Sequence, residues 1–200
     1  MRSPDETLYS LLWQASSSSY FWDQIAIELS TADHLTLSEN ARLLALLDVA
    51  MADAGIGCWE AKAHYRFWRP ITAIHEPTGT AINPATSTDP LWAPLFATPA
   101  HPDYPSAHSC VSGAAGRVVS NYFGDSNSFS VTSDVMLGVR RFFSSISAAT
   151  DEIKNARVFA GIHFRTDTND GQALGVNVDE WVQAHAFLPV NGNKVGQTRH

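Results

Sequence analysis

Two basic side chains, Lys62 and Arg69, lie seven positions apart in a segment that is rich in aromatic residues. In a continuous helix, residues seven positions apart lie two turns apart on one face, so both cations could point into one pocket. Two solvated charges on a surface helix are the alternative interpretation. The aromatic neighbours argue against it, because clustered exposed apolar side chains are uncommon on solvated surfaces. These neighbours are Trp59, Tyr65, Phe67 and Trp68.

A second segment, from His101 to His108, combines prolines, a serine and two histidines. Pro105 suits the first turn of a helix, which would leave the backbone N–H groups of Ser106 and Ala107 unpaired. Unpaired N–H groups at a helix N-terminus attract an oxyanion, and the Ser106 hydroxyl and the His108 imidazole would be within reach of it. For this segment taken alone, a simple serine cap and a buried, satisfied histidine remain an alternative.

The third segment contains Arg157, His163 and Asp167. Arginine presents a planar fork of N–H donors that fits the oxygens of an oxyanion. Asp167 follows His163 by four positions. In a helical turn its carboxylate could accept the imidazole Nδ1–H and leave Nε2 free as a ligand or nucleophile. A polar pair on a helix surface is the alternative. Together, the three segments predict a site for one small, dense anion.

The order of these segments resembles that of the vanadium-dependent haloperoxidases, which share a superfamily with the type 2 phosphatidic acid phosphatases. The family pattern is Lys-x6-Arg-Pro, then Pro-Ser-Gly-His, then Ser-Arg-x5-His-x3-Asp, and it is matched at 62–70, 105–108 and 156–167. The likeness extends over roughly 43–175. Ala107 departs from the pattern by replacing a glycine, which adds a methyl group close to the anion, and Ala156 replaces a serine.

The resemblance implies vanadate as the cofactor and assigns a role to each residue of the three segments. His163 would be the vanadium ligand, with its imidazole held by Asp167. His108 would act as acid–base on the apical oxygen, and Lys62 would polarise the bound hydrogen peroxide. Vanadium would work as a Lewis acid at constant oxidation state. The vanadate oxygens would be bound by Lys62, Arg69, Arg157, the Ser106 hydroxyl and the Ala107 N–H.

The same resemblance implies that the reaction oxidises halide to hypohalous acid, which then reacts with a small organic acceptor. Trp59 matches a tryptophan of the halide pocket in the family. His101 occupies a position that is histidine in bromoperoxidases and phenylalanine in some chloroperoxidases, so bromide is the favoured halide. A loop histidine without a role is the alternative for His101.

Two other functions stay open on the sequence. An acid phosphatase would use the same pocket for phosphate, with His163 as the nucleophile and His108 protonating the leaving group. Phosphate and vanadate are nearly isosteric, so the anion-binding residues do not separate the two enzymes. The aromatic surround of Trp59, Phe67 and Trp68 favours the peroxidase, and the lack of an expected membrane span disfavours the lipid-phosphatase branch. A catalytically inactive anion-binding domain is the third hypothesis, and the complete set of charged residues argues against it.

Composition excludes some partners. The net charge of −7 and the lack of a basic stripe argue against nucleic acid. Two cysteines in 200 residues do not form a disulfide framework. The most apolar stretch, 41–59, is broken by Asp48 and Asp53 and is not expected to span a membrane. No secretory signal is visible at the N-terminus, and the localisation stays unknown.

The periodicity of apolar residues predicts an all-α helical bundle with a short β-hairpin. We expect one catalytic domain over 1–200, with 1–40 as an N-terminal helical extension and the site within 43–175. Haloperoxidases of this type have a longer N-terminal helical half, so apolar surface would be covered either by that half or in a homo-oligomer. The predicted helices cover 17–30, 38–54 (Ser38 as N-cap, broken or bent at Gly55 and Gly57), a stretch to Arg69-Pro70, 105–122, 145–161 and 167–186. A long loop is predicted over 75–101, and the hairpin over 129–131 and the stretch before Arg140.

Overall fold

A computed structural model describes residues 2–76 and 87–188 of the chain. Helices dominate the fold, as the periodicity predicts, and two short strands form an antiparallel hairpin. In chain order the elements are α1 (Pro4–Ala15), α2 (Ser18–Ala32), α3 (Leu37–Tyr65), α4 (Pro70–His75), α5 (Ala107–Phe123), β1 (Phe129–Thr132), β2 (Arg140–Phe143), α6 (Ile146–Phe159) and α7 (Arg165–His185).

Helix α3 is longer and more regular than the sequence analysis predicts. Its N-cap is Thr36, whose side chain accepts the Glu39 N–H in a capping box, so the prediction of Ser38 as the cap is wrong. Gly55 and Gly57 do not break the helix. A helix-interior glycine costs only about 1 kcal/mol relative to alanine, which is less than burying a single leucine contributes. The helix ends where Arg66 adopts a left-handed conformation, φ 48° and ψ 39°.

The core is built from apolar side chains on α1, α2, α3, α5 and α6. Trp13 and Phe21 meet edge to face with ring centroids 5.0 Å apart, and Trp22 lies fully buried beside them. The hairpin joins this core through Phe129 and Phe143, whose rings stack at 5.5 Å. Strand β2 begins at Arg140, so the prediction that the second strand lies before this residue is wrong.

Close contact between α5 and α7 depends on glycine. A Cβ on Gly113 would lie 2.4 Å from the Gln172 carbonyl oxygen, and one on Gly175 would lie 2.0 Å from the Cys110 carbonyl oxygen. These separations are far inside van der Waals contact, so the two backbones can approach only where the side chain is a hydrogen atom. This approach places the start of α5 against the start of α7.

The start of α5 differs from the prediction by two residues. Pro105 lies outside the helix and follows a cis peptide bond with Tyr104, Ser106 is the N-cap, and the first helical residue is Ala107. The prediction that Pro105 occupies the first turn is therefore wrong. The predicted loop over 75–101 also begins late, because His75 still belongs to α4, and residues 77–86 of it lie outside the described residues.

Among the residues that the structure describes, no helix combines the length and the apolar character that crossing a membrane requires.

The close packing of α5 and α7 gives a stability prediction. Gly175→Ala places a methyl group against the Cys110 carbonyl, and we expect it to lower the free energy of unfolding by about 3 kcal/mol, at the upper end of the usual cost of overpacking. Gly55→Ala is the matched control, because a Cβ at Gly55 meets nothing within 4 Å, and it should stabilise the protein by about 1 kcal/mol. Denaturation in urea, followed by circular dichroism, measures both changes. Equal stability of the two variants would contradict the prediction.

Candidate active site

Lys62 lies in the last turn of α3 and is 2% exposed, so the interpretation of a solvated surface charge is wrong. Its Nζ donates to the carbonyl oxygens of Pro102, at 2.8 Å, and Asp103, at 2.6 Å. Burial lowers the pKa of Lys62 to about 8; repulsion from Arg69 adds to this effect, while Cys58 and Asp103 oppose it. An ammonium group has three N–H donors, so these two bonds leave one for a ligand.

Arg69 approaches Lys62, but not along a helix face as the spacing suggested. Helix α3 has already ended at Arg66, and Arg69 is the N-cap of α4, so a turn of the chain brings the two cations together. The guanidinium is 6% exposed, and all its N–H donors face protein acceptors. Nε donates to the His101 carbonyl (3.1 Å), Nη1 to the Ile162 carbonyl (2.7 Å) and His163 Nε2 (3.2 Å), and Nη2 to His101 Nδ1 (3.1 Å) and the Pro102 carbonyl (3.5 Å).

His163 lies between two carboxylates in the turn that precedes α7. Its Nδ1 is 2.5 Å from Asp103 Oδ1 and 3.7 Å from Asp167 Oδ2, so the expected partner Asp167 is the more distant one. The Asp167 carboxylate instead accepts the Phe164 N–H at 2.9 Å and caps α7. The short contact to Asp103 is an ion-pair distance whose donor–acceptor alignment is poor.

Asp103 is the residue of this site that the sequence analysis missed. It is fully buried, and its Oδ1 also lies 3.1 Å from Arg69 Nη1. Burial raises the pKa of Asp103 against the lowering effect of His163. Burial acts to raise the pKa of Asp167, but the neighbouring His163 imidazole and the hydrogen bond from the Phe164 N–H favour the carboxylate, and the net pKa is lowered. In the sequence, Asp103 is an acidic residue within a proline-rich loop, and an aspartate in such a loop more often faces solvent than lies buried.

The N-terminus of α5 contributes polar groups as predicted, with one exception. The Ser106 N–H donates to the Asp167 carbonyl oxygen at 3.0 Å and is not free for an anion. Its hydroxyl is buried, and within residues 2–76 and 87–188 it has no hydrogen-bond partner. The next N–H groups, of Ala107 and His108, belong to the first turn and face no backbone acceptor in those ranges.

His108 is in contact with the end of helix α1. Its Nε2 lies 3.2 Å from the Trp13 carbonyl oxygen, and because a carbonyl only accepts, this nitrogen carries the proton. Burial lowers the pKa of His108 well below its usual value, and repulsion from Arg157 and His163 lowers it further. The imidazole is therefore neutral, with Nδ1 unprotonated.

Arg157 comes from the last turn of α6 and is 1% exposed. Its Nη1 donates to Gln14 Oε1 at 2.8 Å, and its guanidinium lies over the Phe96 ring. Burial lowers the pKa of Arg157 to about 9, and repulsion from Arg69 contributes. Its Nε has no hydrogen-bond partner among the described residues, so a donor of this group is available.

A cavity of about 490 Å³ lies beside part of this set, and Lys62, Arg69, Asp103 and Ser106 are not among the residues that line it. The end of α1 and the following serines line it, and so does Trp59, whose ring lies 5.3 Å from that of His101. Tyr65, Phe67 and Trp68 do not line it, so the predicted aromatic surround reduces to Trp59 within the described chain. The site residues that line this cavity are Trp59, His101, Ala107, His108, Arg157 and His163.

The donor set of this cavity fits a tetrahedral oxyanion. Within the described residues, the buried Ser106 hydroxyl and Arg157 Nε have no hydrogen-bond partner, Lys62 keeps a third N–H donor, and the first turn of α5 adds unpaired backbone N–H groups. An unpaired buried donor costs about 1–3 kcal/mol, and an anion would remove that cost. Vanadate and phosphate both satisfy such a set, and the His163 Nε2 lone pair, which accepts from Arg69 Nη1 at 3.2 Å, could bond either central atom once that contact is released.

The comparisons with known proteins agree with this geometry. Residues 42–192 match the family described as the VCPO second helical-bundle domain. The vanadium chloroperoxidase of Curvularia inaequalis is 32% identical over 147 residues, which cover 61% of this chain and 23% of that protein. The chain therefore spans about a quarter of the length of this relative.

Solved structures give the same result. The crystal structure of the first bacterial vanadium-dependent iodoperoxidase superposes with a TM-score of 0.80 at 30% identity, covering 90% of this chain and 43% of that one. The holo-type bacterial vanadium-dependent chloroperoxidase superposes with a TM-score of 0.70 at 18% identity, covering 92% of this chain and 45% of that one, and shows likeness of fold. On these matches, the chain belongs to the vanadium haloperoxidase family and corresponds to its second helical-bundle domain.

Proposed function

We propose that this chain is the catalytic domain of a vanadate-dependent haloperoxidase that oxidises halide with hydrogen peroxide to hypohalous acid. The observation that carries the proposal is the cavity where His163, His108 and Arg157 meet the first turn of α5. Family membership and the similarity to an iodoperoxidase and chloroperoxidases support it. The chain spans less than half of the length of those relatives. The activity of the relatives therefore has to be measured on this chain itself.

The residues would hold vanadate in the following way. His163 Nε2 would be the ligand of vanadium, and Arg157 Nε, the Ser106 hydroxyl, the Ala107 N–H and the free N–H of Lys62 would bind its oxygens. Bound vanadate would supply a Lewis acid that activates hydrogen peroxide for attack by halide. Arg69 has no unpaired donor, because its N–H groups already contact protein acceptors. It would bind a vanadate oxygen when His163 Nε2 leaves Arg69 Nη1 to bond vanadium.

His108 would move a proton during the reaction. Its Nε2–H is fixed on the Trp13 carbonyl, so Nδ1 is the nitrogen that can accept a proton from hydrogen peroxide. The low pKa of His108 keeps the imidazole in the neutral form that a base requires. Lys62 would stabilise the negative charge that develops on oxygen, since its ammonium is buried and held in place by two carbonyl groups.

Halide would approach from the side of Trp59 and His101. Both rings line the cavity and pack on each other, and His101 is half-buried. Bromide is the proposed halide, on the histidine at position 101. The small organic acceptor would meet hypohalous acid in the part of the cavity that Ser17, Ser18 and Asp48 line.

An acid phosphatase is the second candidate, and the orientation of His163 favours it as much as the peroxidase. The same Nε2 lone pair would attack phosphorus, and the same donors would bind the phosphoryl oxygens. The two reactions differ in what they consume, which makes them separable in one assay. A domain that binds the anion without turnover would show neither activity.

The first test measures both reactions side by side. Purified chain is loaded with vanadate and assayed for peroxide-dependent oxidation of chloride, bromide and iodide, and without vanadate for hydrolysis of an aryl phosphate. We expect bromination that requires vanadate. His163→Ala should reduce it by more than the roughly 10–100-fold loss typical of removing an outer-shell partner, because the ligand itself is lost.

Asn177→Ala is the control variant, since this residue lies beside a different cavity on α7. It should retain the wild-type rate, and circular dichroism should show that both variants are folded. Phosphate release without bromination would overturn the peroxidase in favour of the phosphatase. Anion binding with neither activity would indicate an inactive domain.

The pKa of Lys62 gives a pH prediction that does not depend on turnover. Sulfate keeps its charge between pH 7 and 9, so a change in its affinity reports on the protein. The ammonium binds the anion, so affinity is highest below the Lys62 pKa of about 8 and is lost as the pH rises through it. One titrating cation gives roughly a tenfold fall over this range.

Isothermal titration calorimetry with sulfate at several pH values measures this effect. Lys62→Arg is the matched variant, because the ordinary pKa of arginine lies about two units above that of lysine, and its affinity should change less between pH 7 and 9. An equally steep fall in both proteins would show that another group is responsible. A flat profile for the wild type would contradict the burial effect on Lys62.

A further inference from the structure

The geometry points to Asp103 as the positioning residue that orients the His163 imidazole and also contacts Arg69 and Lys62. The sequence spacing suggests Asp167 as the residue that orients His163. The inference deepens the proposed function and rests on it for the catalytic consequence. The orientation itself concerns the chain alone and is the same for vanadate and for phosphate.

The first step concerns the tautomer of His163. Its Nε2 lies 3.2 Å from Arg69 Nη1, and a guanidinium has no acceptor, so Nε2 must carry the lone pair. On the other side of the ring, Nδ1 lies 2.5 Å from a carboxylate oxygen of Asp103, an ion-pair contact with poor hydrogen-bond alignment, and a carboxylate this close to Nδ1 favours the proton on that nitrogen. Both neighbours therefore favour the same form, with Nδ1 protonated and a lone pair on Nε2 that could bond a vanadium or phosphorus atom once Arg69 Nη1 releases it.

The second step distinguishes the two carboxylates. Asp103 Oδ1 is more than 1 Å closer to Nδ1 than Asp167 Oδ2, with distances of 2.5 Å and 3.7 Å. The Asp167 carboxylate is also committed to the backbone, because it accepts the Phe164 N–H that begins α7. A carboxylate at this position stabilises the first turn of α7, so the presence of an aspartate at 167 does not require a role on the imidazole.

The third step concerns the other cations. The Asp103 carboxylate contacts Arg69 Nη1 at 3.1 Å, and its backbone carbonyl accepts from Lys62 Nζ at 2.6 Å. The Asp103 N–H donates to the Phe67 carbonyl at 3.0 Å, which ties the loop to the chain between α3 and α4. One buried residue thus touches His163, Arg69 and Lys62 at once.

The test is a nuclear magnetic resonance measurement on the full chain with ¹⁵N-labelled histidine, without added anion. For the wild type we expect His163 to show the Nδ1–H tautomer, with the Nδ1 proton shifted strongly downfield by the carboxylate. Asp103→Asn keeps an oxygen acceptor but removes the charge, so this resonance should move upfield. Asp167→Asn is the matched variant and should move it less.

A binding measurement gives the functional consequence. Vanadate affinity of Asp103→Asn should fall by roughly 10–100-fold, the usual effect of altering the partner of a metal-ligating histidine. Asp103→Glu tests rescue and should bind vanadate more tightly than the asparagine variant if its carboxylate reaches Nδ1. The wild-type tautomer and the Asp167→Asn spectrum are informative even if the Asp103 variants do not fold.

The outcomes separate this inference from the proposed function. An Nε2–H tautomer in the wild type, or a larger shift in Asp167→Asn than in Asp103→Asn, overturns the role of Asp103 whether or not the enzyme brominates. Absence of bromination together with the expected spectra overturns the peroxidase and leaves Asp103 as the positioning residue of an anion site.

Discussion

Burial of positive charge is the constraint on which this structure depends. Lys62, Arg69 and Arg157 are each at most 6% exposed, and removing such groups from water costs several kcal/mol per ion unless partners compensate. The protein compensates through backbone carbonyls, through Gln14 and through the buried Asp103 carboxylate. Carbonyls satisfy hydrogen bonds without cancelling charge, so the cavity keeps a positive potential.

The cations that produce this potential come from the ends of helices. Lys62 lies one turn from the end of α3, Arg157 lies in the last turn of α6, and Ala107 opens α5. At the end of a helix a side chain can reach past its own element, and the N-terminus of α5 adds its dipole to the cations. Glycines at the contact of α5 with α7 bring the turn that carries His163 against this terminus. The site is therefore a product of helix ends rather than of helix faces.

Much of the fold and of the site could be predicted from the sequence. The parts that could not be predicted depend on tertiary packing and on backbone conformation. Helical periodicity predicted the all-α fold with a hairpin, and the three motif segments predicted the family. Periodicity and motifs both depend on residue types at short spacings. The path from Lys62 to Arg69 was predicted as a helix face, since nothing local shows that Arg66 turns left-handed. Asp167 was expected to hold His163 because it lies four positions away, whereas Asp103 reaches the ring from 60 positions earlier. A partner at that separation follows from tertiary packing alone.

The contact of α1 with the cavity has a consequence for how the site forms. Gln14 and Arg157 are 143 positions apart, and the Trp13 carbonyl meets His108 from 95 positions away, so the cavity is complete only after the first helix has docked on the last third of the chain. Contacts between residues this far apart in sequence are expected to form late in folding, because the chain loses the entropy of closing a long loop before it gains the energy of the contact. An anion that binds only the finished cavity draws the equilibrium toward the fully docked chain, and it does so in proportion to the logarithm of its concentration. An anion bound in this cavity would then also be a ligand that holds the first helix on the rest of the domain.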